Sequence, residues 1–171
     1  MNEPWSVRLE IGYIPPSINR AYIPRLRRGK GGVKLAKVMN NEVRAFVDRF
    51  KTDIVSRYLQ ELCDLPDDGV TVFRIDYKFV FDTLINKTWG EKGGAKHRYK
   101  IVDTSNRVII IENALKAALD IDDSMFFVGE IRKEMDPGHV RTEITITAQD
   151  PEDFGVPPVG GGEEGSVQEG R

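Results

Sequence analysis

Asp103, together with the pair Asp122 and Asp123, marks the stretch of this chain whose residue types and spacing are best suited to chemistry. The run VDTSNRVIIIENALKAALDIDDSMFF begins just after a basic segment and ends on that acidic pair. Carboxylates are hard oxygen ligands, and beside cationic loops they suit a divalent cation together with a phosphate. Between the two ends lies an Ala/Leu-rich apolar run without Gly or Pro, the composition of a buried helix. Asp103, Thr104, Ser105 and Asn106 all suit a helix start. A straight helix would hold Asp103 and Asp123 on the order of 25 Å apart at 1.5 Å per residue. The two ends can meet only if the chain turns back after Leu119, where the helical pattern stops. A charged helix start followed by a polar loop accounts for the same residues without any chemistry.

The elements that must position these acids follow from periodicity. Val7, Leu9, Ile11 and Tyr13 alternate with Arg8 and Glu10, which predicts a half-buried strand over 7–13. Pro15 and Pro16 then bar further sheet pairing. Tyr22–Lys37 carries Arg25, Arg27, Arg28, Lys30, Lys34 and Lys37 with no acid and three glycines, and is expected to be a flexible loop that wraps phosphates. Val43, Val47, Phe50, Ile54 and Tyr58 recur at helical spacing within Asn40–Leu62. Val70–Phe81 predicts a strand with Phe73, Ile75, Tyr77, Phe79 and Phe81 on one face. Asp82–Lys100 is expected to be a second basic loop, with Lys87, Lys92, Lys96, His97, Arg98 and Lys100 opposed only by Asp82 and Glu91. Its Trp89 and Tyr99 suit contact with an unpaired base or sugar, and ordinary packing accounts for them equally well. Met125–Glu134 and Val140–Thr147 are expected to pair as a hairpin across Met135-Asp136-Pro137-Gly138.

This order predicts an α+β domain: one small mixed four-stranded sheet with two main helices on one face. Its open sheet edges invite pairing with a second copy as a homodimer. The single Cys63 excludes an intrachain disulfide and a cysteine-based zinc site, and points to a reducing cytoplasm. His97 and His139 are too few for most His-based metal sites. No run of about 18 apolar residues is present to span a membrane, and MNEPWSVRLE lacks the layout of a signal peptide. From Asp150 onward there are six acids and one base, which leaves residues 1–149 with 24 bases against 21 acids. The expected organisation is a domain over 1–149 followed by an acidic, Gly/Pro-rich disordered tail over 150–171.

As an ordered set, several motifs are similar to the RusA family, the Holliday-junction resolvases of bacteria and their phages. They are Pro15-Pro16-Ser17-Ile18-Asn19-Arg20, the basic loop ahead of Asp103, the Asp103-x-x-Asn106 pair, the Ala114-Leu115 helix, Asp122-Asp123-Ser124 and the closing Glu143-Ile144-Thr145-Ile146-Thr147 strand. The resemblance spans roughly residues 7–148. It implies a homodimeric, Mg²⁺-dependent endonuclease that cuts four-way DNA junctions, with Asp103 and Asp123 as metal ligands. Asn106, with Ser105 and Asp122, would support that site. The sequence departs from the family pattern at Ser105, where a second acid is usual, at Ile109, where a lysine is usual, and at Asn113, where an acid is common. Ser105 is a poor substitute for an anion. Glu112 is the residue placed to compensate, because 105, 109, 112 and 116 share one helix face.

The function expected from the sequence is metal-dependent hydrolysis of branched DNA. Asp103, Asp123 and Glu112 would form the catalytic set, and Asn19, Arg20, Arg25, Arg27, Arg28, Lys96, Arg98 and Lys100 would grip phosphates. Two other classes remain open. One is a junction-binding protein without cleavage, in keeping with Ser105 and Ile109. The other is a protein-interaction module that works through its acidic tail.

Overall fold

Alternation of apolar and polar residues builds most of the sheet. In the computed structural model Val7, Leu9, Ile11, Phe73, Ile75, Tyr77, Phe79, Ile144 and Ile146 are buried along it, whereas the Phe126–Met135 strand is largely exposed and Val140 stays outside the core. The structure describes residues 4–17, 22–29 and 32–155, with backbone alone over 22–29, over 32–39 and at Phe154. The strand β1 (Ser6–Ile11) buries Val7, Leu9 and Ile11. A two-stranded antiparallel unit follows, β2 (Tyr22–Gly29) and β3 (Gly32–Met39), and then helix α1 (Asn41–Leu62). Asn40 caps α1 by accepting from the Glu42 amide, and its apolar stripe buries Val43, Phe46, Phe50 and Ile54. Strand β4 (Val72–Phe81), helix α2 (Ser105–Leu119), β5 (Phe126–Met135) and β6 (Arg141–Gln149) complete the domain.

The main sheet has the order β1-β6-β4-β5. Both α1 and α2 contribute to a single core with β1, β4 and β6, in which Tyr77, Phe50, Phe79 and Leu9 are among the largest fully buried side chains. The domain is therefore α+β with a mixed four-stranded sheet and two helices. The opposite side of the sheet carries a ladder of charge. Glu143, only 6% exposed, is met there by Arg8, Arg141 and Lys78, and Lys78 also reaches Glu134. No helix among the described residues is long and apolar enough to cross a membrane.

Three expectations are corrected. The basic segment expected to be a flexible loop is a hairpin, in register from Tyr22 opposite Met39 to Gly29 opposite Gly32. The two residues between the strands, Lys30 and Gly31, lie outside the described residues. Next, β5 and β6 do not pair with each other. Strand β4 lies between them, parallel to β5 and antiparallel to β6. The Asp136–Val140 segment crosses the end of β4, where Asp136 N donates to Phe81 O at 2.9 Å and Gly138 N to the Asp82 carboxylate at 2.9 Å. The reason is the intervening helix: parallel strands need a crossover, and α2 supplies it between β4 and β5. Finally, the ordered chain continues past Gln149 into a 3₁₀ turn over Pro151–Phe154, capped by Asp150. The remaining tail residues, 156–171, lie outside the described residues.

Candidate functional site

The β4–α2–β5 crossover carries the acids that the sequence marks for chemistry, with Lys96, Arg98 and Lys100. Asp103 stands just before α2 as its effective cap: its carboxylate accepts from the Asn106 amide N–H at 3.2 Å and from the Asn106 side chain. Thr104, the formal N-cap, makes no side-chain capping bond. Arg107, one residue further on, donates to the carbonyl of Pro15 and lies 6.0 Å over the Phe81 ring. Burial lowers the Arg107 pKa, and the charge of Asp103 works in the other direction. Its Nε is buried without a hydrogen-bond partner among the described residues. Arg107 thus ties the Pro15-Pro16-Ser17 segment to the start of α2. Beside it opens a cleft of about 910 Å³, lined by Pro15, Pro16, Ser17, Arg49 and Arg107 among others.

A second cluster lies toward the far end of the same helix. Helix α2 stops at Leu119, and Asp120 takes the left-handed conformation at φ 57° that turns the chain back. The turn delivers Asp122 and Asp123 to Lys116, whose ammonium lies 3.4 Å from the first and 2.9 Å from the second. Asp122 also caps the short 3₁₀ turn by accepting from Ser124 N at 2.9 Å. That bond and Lys116 hold the Asp122 carboxyl well below the usual range. Glu112, half-buried, faces the Tyr77 hydroxyl at 3.5 Å. Burial raises the Glu112 pKa, the Tyr77 hydrogen bond opposes the rise, and the charge of Asp123 adds to it.

The chain does turn back after Leu119, and what the turn brings to Asp122 and Asp123 is Lys116. Lys116, the partner of Asp123, sits eleven residues beyond Ser105, about 16 Å along a rigid helix axis. Among the described residues no group of three or more Asp, Glu, His or Cys side chains is gathered to hold a metal. Of the marked acids, Glu112 feels the charge of Asp123, which itself pairs with Lys116 at 2.9 Å; carboxylates are the donor type a hard divalent cation takes. Glu112, marked to compensate for Ser105, lies half-buried on α2 beside the Tyr77 hydroxyl. Lys116 and Tyr77 were missed, although 116 shares a helix stripe with 105, 109 and 112. Ser105 and Ile109 are both exposed on that stripe. Asn113 bonds back to the Ile109 carbonyl at 2.7 Å, so its amide serves the helix.

The expected DNA-contacting residues fall into three groups. Asn19 and Arg20 lie outside the described residues. Arg25, Arg27 and Arg28 lie on β2, whose side chains are likewise outside them. Lys96, Arg98 and Lys100 belong to an arch between β4 and α2, closed by the bridge of Ile85 with Tyr99 and by Asn86, whose side chain donates to His97 O and Tyr99 O. Lys96 and Arg98 are exposed. The Lys100 ammonium instead donates to Thr83 O at 3.1 Å, so this lysine braces the arch. The tip needs glycine at 94, where an added Cβ would stand 1.9 Å from Thr88 O.

No protein-family model matches this sequence, and no curated protein matches it either.

Proposed function

We propose that this protein is a RusA-like, Mg²⁺-dependent endonuclease that acts on branched DNA as a homodimer. The observation that supports this reading is that one β-α-β crossover carries a basic arch leading into Asp103 at the start of α2, where Arg107 holds Pro15, and the acids Glu112 and Asp123 farther along the helix. Glu112 and Asp123 would hold the metal, and waters with a substrate phosphate would complete its coordination. Bound there, Mg²⁺ supplies Lewis-acid activation of water and of the scissile phosphate. Lys116 pairs with Asp123 at 2.9 Å and holds it against the helix face. Asp103 fixes the first turn of α2 through Asn106 and sets the arch against it. The exposed Lys96 would contact phosphates.

A second reading, junction binding without cleavage, is favoured by one observation: the acids stand in two clusters, and Ile109 presents no charge between them. A labelled four-way junction incubated with Mg²⁺ and with a chelator, beside a linear duplex, separates the two. Symmetric Mg²⁺-dependent nicking supports the nuclease. Tight junction binding with no cut supports the second reading, and no preference for the junction rejects both.

A further inference from the structure

The arch between β4 and α2 carries two aromatic side chains that the fold does not use. Trp89 is 49% exposed and Tyr99 60% exposed, and neither belongs to the core cluster. The guanidinium of Arg98 stands over both, 5.4 Å from the Trp89 ring and 5.6 Å from the Tyr99 ring. Elsewhere in the domain such rings are committed. Trp5 packs edge-on against Phe73 and donates to Glu61 O, and Arg49, over Tyr13, also reaches Asp53. Among the described residues, Lys87, Lys92, Lys96 and Arg98 have no ion-pair partner, although Glu91 lies in the same arch.

The arch is also held in shape. Asn86 N donates to Arg98 O at 2.8 Å, Lys100 N to Leu84 O at 2.7 Å and Ala95 N to the Thr88 hydroxyl at 3.1 Å. Its rings are thus offered on a braced support, surrounded by uncompensated positive charge.

We propose that Trp89, Arg98 and Tyr99 form a stacking platform for unpaired nucleotides, with Lys87, Lys92 and Lys96 contacting the flanking phosphates. A duplex buries its base faces against one another and presents only phosphates and edges. A base that has lost its partner offers a face to an aromatic ring or a guanidinium plane, together with a phosphate on each side. The platform rests on the branched-DNA reading, since bases at a branch point are the ones free to unstack, and it would give that reading its preference for a branch over a duplex.

The test uses the full chain and three DNAs: single-stranded oligo-dT, a four-way junction and a linear duplex. Oligo-dT should quench tryptophan fluorescence of the wild type, and the quench should vanish in Trp89→Leu. The double variant Trp89→Leu/Tyr99→Leu should lose roughly tenfold or more in oligo-dT affinity and a comparable factor on the junction. Its duplex affinity and melting temperature should stay as they are. Arg98→Lys keeps the charge but loses the guanidinium plane over the rings, and should keep the duplex affinity while lowering that for oligo-dT. Equal losses on all three DNAs, or none, or no quench by oligo-dT, would overturn the platform. If wild type cleaves or prefers the junction while these variants behave as wild type, only the platform fails. If wild type binds no DNA, the branched-DNA reading fails with it.

Discussion

Replacing Ile109 with lysine separates the chemistry of the α2 face from its folding. In sequence this residue sits within four consecutive apolar residues, Val108–Ile111, so it could equally have been core. The structure leaves it 42% exposed, while Val108, Ile110 and Ile111 are buried. Giving up its remaining contacts costs about 1 kcal/mol, and the lysine stem recovers part of that along the same surface. Lysine is slightly the better helix former, by about 0.2 kcal/mol. With Glu112 three residues on, the new ammonium gains a further 0.2–0.5 kcal/mol or so. The net change lies within about 1 kcal/mol of zero, roughly 2–4 °C in melting temperature for a chain of this size. A lysine forced into the core would instead cost several kcal/mol.

The functional expectation has the opposite weight. An ammonium on this stripe, between Asp103 and the Glu112–Asp123 pair, would stand where phosphate charge develops. Junction cleavage should rise about tenfold if that charge contributes about 1.4 kcal/mol at the transition state. Thermal melting and cleavage are measured on the same preparation of Ile109→Lys. A fall in melting of about 10 °C or more would show that position 109 is packed, against the exposure argued here. Unchanged melting with unchanged cleavage would show that this stripe does not face the scissile phosphate.

Three further outcomes are expected. Asp103→Asn keeps an acceptor for the Asn106 amide, so melting should move by less than about 1 kcal/mol and Mg²⁺-dependent cleavage should be largely kept; a steep loss of cleavage with binding intact would place Asp103 among the metal ligands. Burial works to raise the Glu143 pKa, but hydrogen bonds from Arg141 and Arg8 outweigh it and hold the carboxyl below its ordinary 4.5. Its contribution is therefore complete above that value and is lost as pH falls through the lowered folded value. Glu143→Gln should flatten this acid limb of the stability curve, and an unaltered acid limb would refute the network. Gly129→Ala would set a Cβ 2.2 Å from an Asp76 oxygen and 2.5 Å from Arg74 Nε at the bulge between β4 and β5. It should lower the urea midpoint by the equivalent of about 1–3 kcal/mol, and a neutral effect would mean the Arg74–Asp76 pair moves aside freely.

The core was legible because its signal is strictly periodic. Val7, Leu9 and Ile11, then Phe73, Ile75, Tyr77 and Phe79, and then Ile144 and Ile146 occupy alternate positions and are all buried. Pairing partners were not legible from adjacency. The turn residues at Asp136-Pro137-Gly138 carry a hairpin signal, yet the same chemistry serves a strap across the end of β4. The deciding cue was at hand, since a helix placed between two strands is the signature of a parallel crossover. The hairpin of β2 with β3 was hidden by its charge: a run of cations without acids reads as solvated loop, whereas strand pairing asks only for compatible backbones and a short turn. At the candidate site, the reversal of the chain at Asp120 was foreseen, but its reach was not. How far a turn carries an acid back along a helix depends on the turn's geometry, and spacing in sequence does not encode it.

The departures from the RusA pattern at Ser105, Ile109 and Asn113 are all on the solvent side of α2, and none of these side chains enters the core. Folding therefore does not require their identity, because a polar residue at 109 would serve an exposed helix position equally well. What folding requires of α2 is on its other side, at Val108, Ile111, Ala114 and Leu115. An isoleucine kept in water between a serine and an asparagine, with carboxylate clusters on either side, calls for a reason in what meets that face. DNA phosphate gives no such reason, since it gains nothing from an apolar contact. A base, a sugar or the same stripe on a second copy does. A dimer that buries this stripe should be weakened by Ile109→Lys, so sedimentation of that variant beside its cleavage assay tells an apolar contact between copies from a vacant place for positive charge.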